Sequence, residues 1–196
     1  MEANTEEKFL EFKEQQKTRV HLDLPKQEDF IALLDDYFSV FHQSNYDGLR
    51  NVEPIDITTR EDMPLQHKPE FRYVSMKNED AFHREILRLQ GTLYKPSISP
   101  IVHPVVVAPK ATEPFIRVCG DYRWINQYIV KPHWPIPLVK EAMSILQNGD
   151  MYGEADITNS FHQLPLTPKA MALLSVSIPK HGTFMPTKMP EGASSA

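Results

Sequence analysis

The sequence predicts an α+β fold, and three observations carry that prediction. Two stretches of the first half place apolar residues at helical spacing. The second half breaks into short β-like runs punctuated by prolines. Helices followed by short strand pairs is the order expected of an α+β chain. At 196 residues, 41% apolar and 24% charged, the chain can build one core, or a core with a loosely attached arm, and is not disordered as a whole.

Residues 4–19 are a run of Glu, Lys and Gln around Phe9, Leu10 and Phe12. Helix formers with so narrow an apolar stripe make a marginal, solvated helix or frayed arm. Phe30, Leu33, Leu34, Tyr37, Phe38 and Phe41 recur at i, i+3, i+4, i+7, i+8 and i+11, which predicts an amphipathic helix over 30–41. Residues 52–57 alternate weakly, as a short strand would, and 59–68 read as connection. A further helix is expected over 78–90, with Phe82, Ile86, Leu89 and Leu93 on one face, Asn78 as N-cap and Gly91 as its stop.

Val105–Val107 and Phe115–Cys119 form two β-like runs whose connection, from Lys110 to Pro114, suits a hairpin tip. Pro137 can open a helix reaching about Gln147. Residues 151–156 read as a strand leading into a turn, and 172–178 and 183–189 as a hairpin through Lys180, His181 and Gly182.

No apolar run approaches the roughly 18 residues of a bilayer span, and Met1, Glu2, Glu6 and Glu7 do not resemble the start of a signal peptide. These features argue against a membrane protein. The lone Cys119 excludes a disulfide framework and a multi-cysteine zinc site, and it fits a reducing compartment. His103, His133, His162 and His181 show no paired-ligand spacing, and no G-x-S-x-G elbow is present. Residues 1–94 hold 12 basic and 19 acidic side chains, and residues 95–196 hold 9 and 7. Charge alone therefore does not mark a nucleic-acid binder.

Three clusters in the second half carry chemistry. The first follows the hairpin tip at Lys110 and reads R-V-C-G-D-Y-R-W-I-N over 117–126. The second is A-D-I-T-N-S-F-H-Q over 155–163, and the third is K-M-P-E-G over 188–192. Their order and spacing resemble reverse transcriptases, most closely those of gypsy-type LTR retrotransposons. There the stretches read approximately R-x-C-V-D-Y-R-x-L-N, L-D-L-x-x-G-Y-H-Q-I and M-P-F-G-L. The resemblance runs from about Ile31 to the last residue and is specific from Pro96 onward.

The resemblance implies the fingers and incomplete palm of a right-hand polymerase, preceded by a partly helical linker. Residues 1–26 would be an arm, 27–77 the linker with a helix over 27–43, 78–149 the fingers and 150–196 the start of a truncated palm. Asp156 matches the first metal-binding aspartate, with the Ile157 carbonyl as a secondary ligand for Mg2+. Two ions are expected in the complete enzyme, because nucleotide transfer uses hard cations held by oxygen ligands. By itself Asp156 also reads as a solvated carboxylate at a strand end.

Phe161 matches the aromatic ring that leaves no room for a ribose 2′-hydroxyl, and it also reads as an ordinary core aromatic. Lys110 and Arg117 would neutralise the triphosphate of an incoming dNTP, joined by backbone N–H groups of Asn159 and Ser160. Lys110 also reads as a solubilising loop lysine. Arg123 would lie near the template, although an ion pair involving Asp121, Arg123 and Asn126 explains those residues equally well. Glu191 departs from the family, which has Phe or Gln there, and a carboxylate beside a triphosphate repels it unless paired.

No Y-x-D-D motif occurs in the chain; its adjacent acidic pairs are Glu6-Glu7, Asp35-Asp36, Glu61-Asp62 and Glu79-Asp80, all upstream. The expectation is therefore a fragment of an RNA-directed DNA polymerase, inactive alone, whose partners in the complete enzyme are template-primer, dNTP and the missing palm and thumb of the same polyprotein. The rival reading is a non-enzymatic domesticated or relic fragment that binds protein or RNA through the 30–41 helix. No targeting signal distinguishes cytoplasm from nucleus.

Overall fold

The computed structural model describes residues 3–19, 24–37, 49, 51–70, 72–111, 115–131, 135, 138–147, 152, 157 and 159–194. The chain divides into two compact units, residues 1–47 and 48–196. In the first unit, α1 (Ala3–Arg19) and α2 (Leu24–Asp36) form a helical pair. Lys13 pairs with Asp35, and the Gln27 side chain donates to the Lys17 carbonyl at 2.6 Å. Helix α2 starts earlier than the 30–41 stripe because Pro25 presets the first turn. Within that stripe Leu34 is buried while Leu33 and Tyr37 are exposed. Phe38 and Phe41 lie outside the described residues.

The second unit holds the sheet. Helix α3 (Glu79–Gln90) buries Phe82, Ile86 and Leu89, and Leu93 just beyond it, as the stripe predicts. Asn78 stands at its N-cap without a capping side-chain bond, since a 3-10 turn, Met76–Asn78, already leads into the helix. Strands β1 (Tyr94–Pro96), β2 (His103–Pro109), β3 (Ile116–Gly120), β4 (Val176–Ile178) and β5 (Gly182–Pro186) form one sheet in the order β1-β5-β4-β2-β3. Strands β2 and β3 are the expected antiparallel hairpin, with Val107 opposite Val118 and Ala108 opposite Arg117. Strand β2 also pairs parallel with β4, and β5 pairs antiparallel with both β4 and β1.

Two expectations change. Residues 172 and 173 belong to helix α5 (Pro168–Leu173) and not to a strand. Thr167 caps that helix, accepting from the Ala170 N–H at 3.2 Å, and Pro168 occupies its first turn. The weak strand at 52–57 reduces to a bridge of Ile55 with Leu166, with Ile57 buried behind it. Helix α4 (Val139–Leu146) forms where expected, its Glu141 carboxylate accepting from the Leu138 N–H at 3.0 Å. No residue of α4 is buried. The expected strand at 151–156 lies outside the described residues except Tyr152. Among the described residues no helix is long and apolar enough to cross a membrane.

Candidate nucleotide-binding site

Alternation along β3 puts Arg117 and Cys119 on the opposite face from buried Ile116. From that face the Arg117 Nη1 donates to the Glu191 Oε2 at 2.9 Å. Both side chains keep solvent contact, 53% for Arg117 and 37% for Glu191. The departure from the family motif is thus paired, and its partner is the residue expected to meet phosphate.

The loop that presents Glu191 is tied down from two sides. Met189, fully buried, donates its N–H to the Leu164 carbonyl at 2.9 Å, and Lys188 bridges Pro165. Asn126 grips the far side: its Nδ2 donates to the Gly192 carbonyl at 2.8 Å, and its Oδ1 accepts from the Ser194 N–H at 2.9 Å. Gly192 has φ +93°, a left-handed conformation that glycine adopts without cost. The sequence marks Asn126 as scaffold, but nothing in it shows that this amide holds a loop 66 positions away.

Because 164–165 pairs with 188–189, the 3-10 turn Phe161–Gln163 lies directly before the same attachment. Phe161 keeps 39% of its surface exposed. Asn159 ahead of it adopts a positive φ of 50°, and Ser160 leads into the turn. Burial holds the His162 imidazole below its ordinary value; the Glu191 carboxylate opposes that shift while Arg117 and Arg88 reinforce it. Burial also raises the Cys119 thiol, with Glu191 adding to the effect and Arg117 opposing it. A raised thiol pKa lowers the thiolate fraction on which nucleophilic reactivity depends. Arg117, Cys119, His162 and Glu191 therefore share one electrostatic neighbourhood.

Lys110 stands exposed at the end of β2, where its N–H closes the hairpin onto the Phe115 carbonyl at 2.9 Å. Residues 112–114 of the tip lie outside the described residues. So does Asp156, and with it the expectation that Asp156 and Phe161 share one side of a turn; Ile157 is described and exposed. Arg123 is engaged as an ion pair. Its Nε and Nη2 reach the two Asp121 oxygens at 2.8 and 2.7 Å, and Arg72 joins the same carboxylate at 2.7 Å. The two guanidinium groups hold the Asp121 carboxyl below its usual range, Arg123 more strongly. Arg72 has no signal in the sequence, because it meets Asp121, 49 positions away, only through the fold. Among the described residues no group of three or more His, Cys, Asp or Glu side chains is placed to hold a metal ion.

Solved structures share this arrangement of elements. The native prototype foamy virus protease-reverse transcriptase superposes with a TM-score of 0.73 at 21% identity, covering 95% of this chain and 25% of that one. The foamy viral protease-reverse transcriptase in complex with RNA/DNA hybrid gives 0.73 at 19%, covering 93% and 24%. The fold is reverse transcriptase-like. No family model matches the chain. Its sequence relatives are retrotransposon Pol polyproteins. The retrovirus-related Pol polyprotein from transposon 412 of Drosophila melanogaster is 26% identical over 168 residues, 74% of this chain. The Tf2-3 transposon polyprotein of Schizosaccharomyces pombe is 27% identical over 93 residues, 47% of this chain. The chain spans only 14% of the first of these polyproteins and 7% of the second. Within this reverse transcriptase-like fold, β2 and β3 stand at one edge of the sheet, and the Phe161 turn and the Glu191 loop are joined through 164–165 and 188–189.

Proposed function

We propose that the chain is the fingers and first part of the palm of a gypsy-type LTR retrotransposon reverse transcriptase, an RNA-directed DNA polymerase, preceded by a linker segment. The observation that carries this reading is the convergence of three motifs far apart in sequence. Arg117 of β3 is ion-paired to Glu191, and the Glu191 loop is fastened to the segment that follows Phe161.

In this reading Arg117 and Lys110 take the triphosphate of a dNTP, and the N–H groups of Asn159 and Ser160 add uncharged donors. Phe161, 39% exposed, would supply the flat surface beneath the sugar that excludes a 2′-hydroxyl. Arg123, held by Asp121, faces the template phosphates. The solved relatives named as complexes with double-stranded DNA or RNA/DNA hybrid support template-primer as the partner.

Asp156 and the Ile157 carbonyl would hold Mg2+, for which oxygen donors are the right chemistry. Bound ions would activate the primer 3′-hydroxyl and neutralise the departing pyrophosphate. These 196 residues supply one such carboxylate and no Y-x-D-D pair, so the polypeptide alone does not extend a primer.

Primer extension on an RNA template tests the reading. Activity is expected only in a longer chain carrying Y-x-D-D and a thumb, and Asp156→Asn should abolish it there while leaving folding intact. Extension by the 196-residue chain that survives Asp156→Asn would overturn the proposal.

A further inference from the structure

The Arg117–Glu191 pair has a consequence for the nucleotide that rests on the reading of Arg117 as a triphosphate ligand. We propose that Glu191 gates the phosphate subsite: its carboxylate takes the Arg117 guanidinium that a nucleoside triphosphate would bind, so nucleotide binding requires exchange of one anion for another.

Three features make this a built arrangement and not a chance surface contact. The Glu191 backbone is fixed on both sides, by buried Met189 bonded to Leu164 and by the two-handed grip of Asn126 on Gly192 and Ser194. Arg117 is held on the β2–β3 hairpin opposite Ala108. The charge balance is also explicit: the Arg117 guanidinium and the Glu191 carboxylate are paired at 2.9 Å and cancel. An arriving triphosphate therefore meets an Arg117 already neutralised until Glu191 swings away. Once displaced, Glu191 still repels phosphate at short range. Lys110 at the hairpin tip is the cation expected to make first contact.

Glu191→Gln keeps the size and one acceptor oxygen while removing the charge. It should tighten binding of both dTTP and inorganic tripolyphosphate to the 196-residue chain by roughly tenfold, the scale of one like-charge contact relieved near a surface. Titrations followed through the Arg117 Nε–H resonance report the exchange directly. Arg117→Ala should weaken binding, and in that background Glu191→Gln should give no gain, which separates relief of Arg117 from a general loss of negative charge. Glu191→Asp, one methylene shorter, should fall between Glu and Gln.

Equal affinity of the wild-type chain and Glu191→Gln, with loss in Arg117→Ala, would overturn the gate and leave the nucleotide-site reading standing. An equal gain with and without Arg117 would also overturn it. Binding by neither the wild type nor Glu191→Gln would overturn both.

Discussion

His103 donates its Nε2–H to the Leu173 carbonyl at 3.0 Å from a position with no exposed surface, and its Nδ1 has no partner. The bond ties the start of β2 to the end of α5. Desolvation is the main cause that pushes this imidazole down to about 4 from its ordinary 6.5, with the His67 charge adding to it and the Leu173 bond and Asp121 opposing.

The folded pKa lies below the unfolded one, so the unfolded chain binds more protons between the two values. Stability is full above about 6.5 and is lost as pH falls towards 4, by about 3 kcal/mol for this group. His67, His162 and His181 are shifted the same way by burial and add to the slope. Urea unfolding midpoints measured from pH 7 to pH 4 should drop, and His103→Phe should flatten the drop while costing about 1–3 kcal/mol at pH 7 through the lost bond.

Gly120 admits no side chain. A Cβ there would stand 2.4 and 2.5 Å from two Tyr122 ring carbons and 2.6 Å from its hydroxyl oxygen. That ring is fully buried and its hydroxyl donates to the Leu174 carbonyl at 3.2 Å, so it cannot swing aside. Gly120→Ala should destabilise the second unit by about 2–3 kcal/mol, read from denaturant unfolding.

Asn126→Asp keeps an acceptor for the Ser194 N–H but cannot donate to the Gly192 carbonyl, which it then repels. Amide exchange at Ser194 should accelerate at least about fivefold, with a stability loss of about 1–2 kcal/mol. Unchanged exchange would show that the loop is held by Met189 alone.

In a longer, active chain, Phe161→Ala should raise ribonucleotide incorporation relative to deoxynucleotide incorporation by at least about tenfold. Because the ring is partly exposed, the stability loss should stay below that of a core Phe truncation. Selectivity ratios from single-nucleotide extension with rNTP and dNTP decide it.

Elements governed by local spacing are legible before any coordinates. The α3 stripe places Phe82, Ile86 and Leu89 on one buried face, and the Val105–Val107 run with its proline-flanked tip announces the β2–β3 hairpin. Helix α5 was hidden because Ala170, Met171, Ala172, Leu173 and Leu174 form an apolar run without a period; Thr167 followed by Pro168 is the signal that would have found it. The motifs name Arg117, Phe161 and Glu191 as neighbours in purpose. That Glu191 reaches Arg117 from 74 positions away, and that Arg72 shares Asp121 with Arg123, are products of sheet order and leave no mark on spacing.

The sheet order also sets a schedule for biosynthesis. Strands β1 and β2 are made early, yet they are separated in the sheet by β5 and β4, which are made last. Until Phe184 and Val176 leave the ribosome, Pro96 and His103 have no strand to pair with. The nascent chain therefore carries two unsatisfied backbone edges through some eighty residues of translation, a window in which holdase chaperones have most to protect. Pro96 and Pro104 each remove one amide donor from those waiting strands.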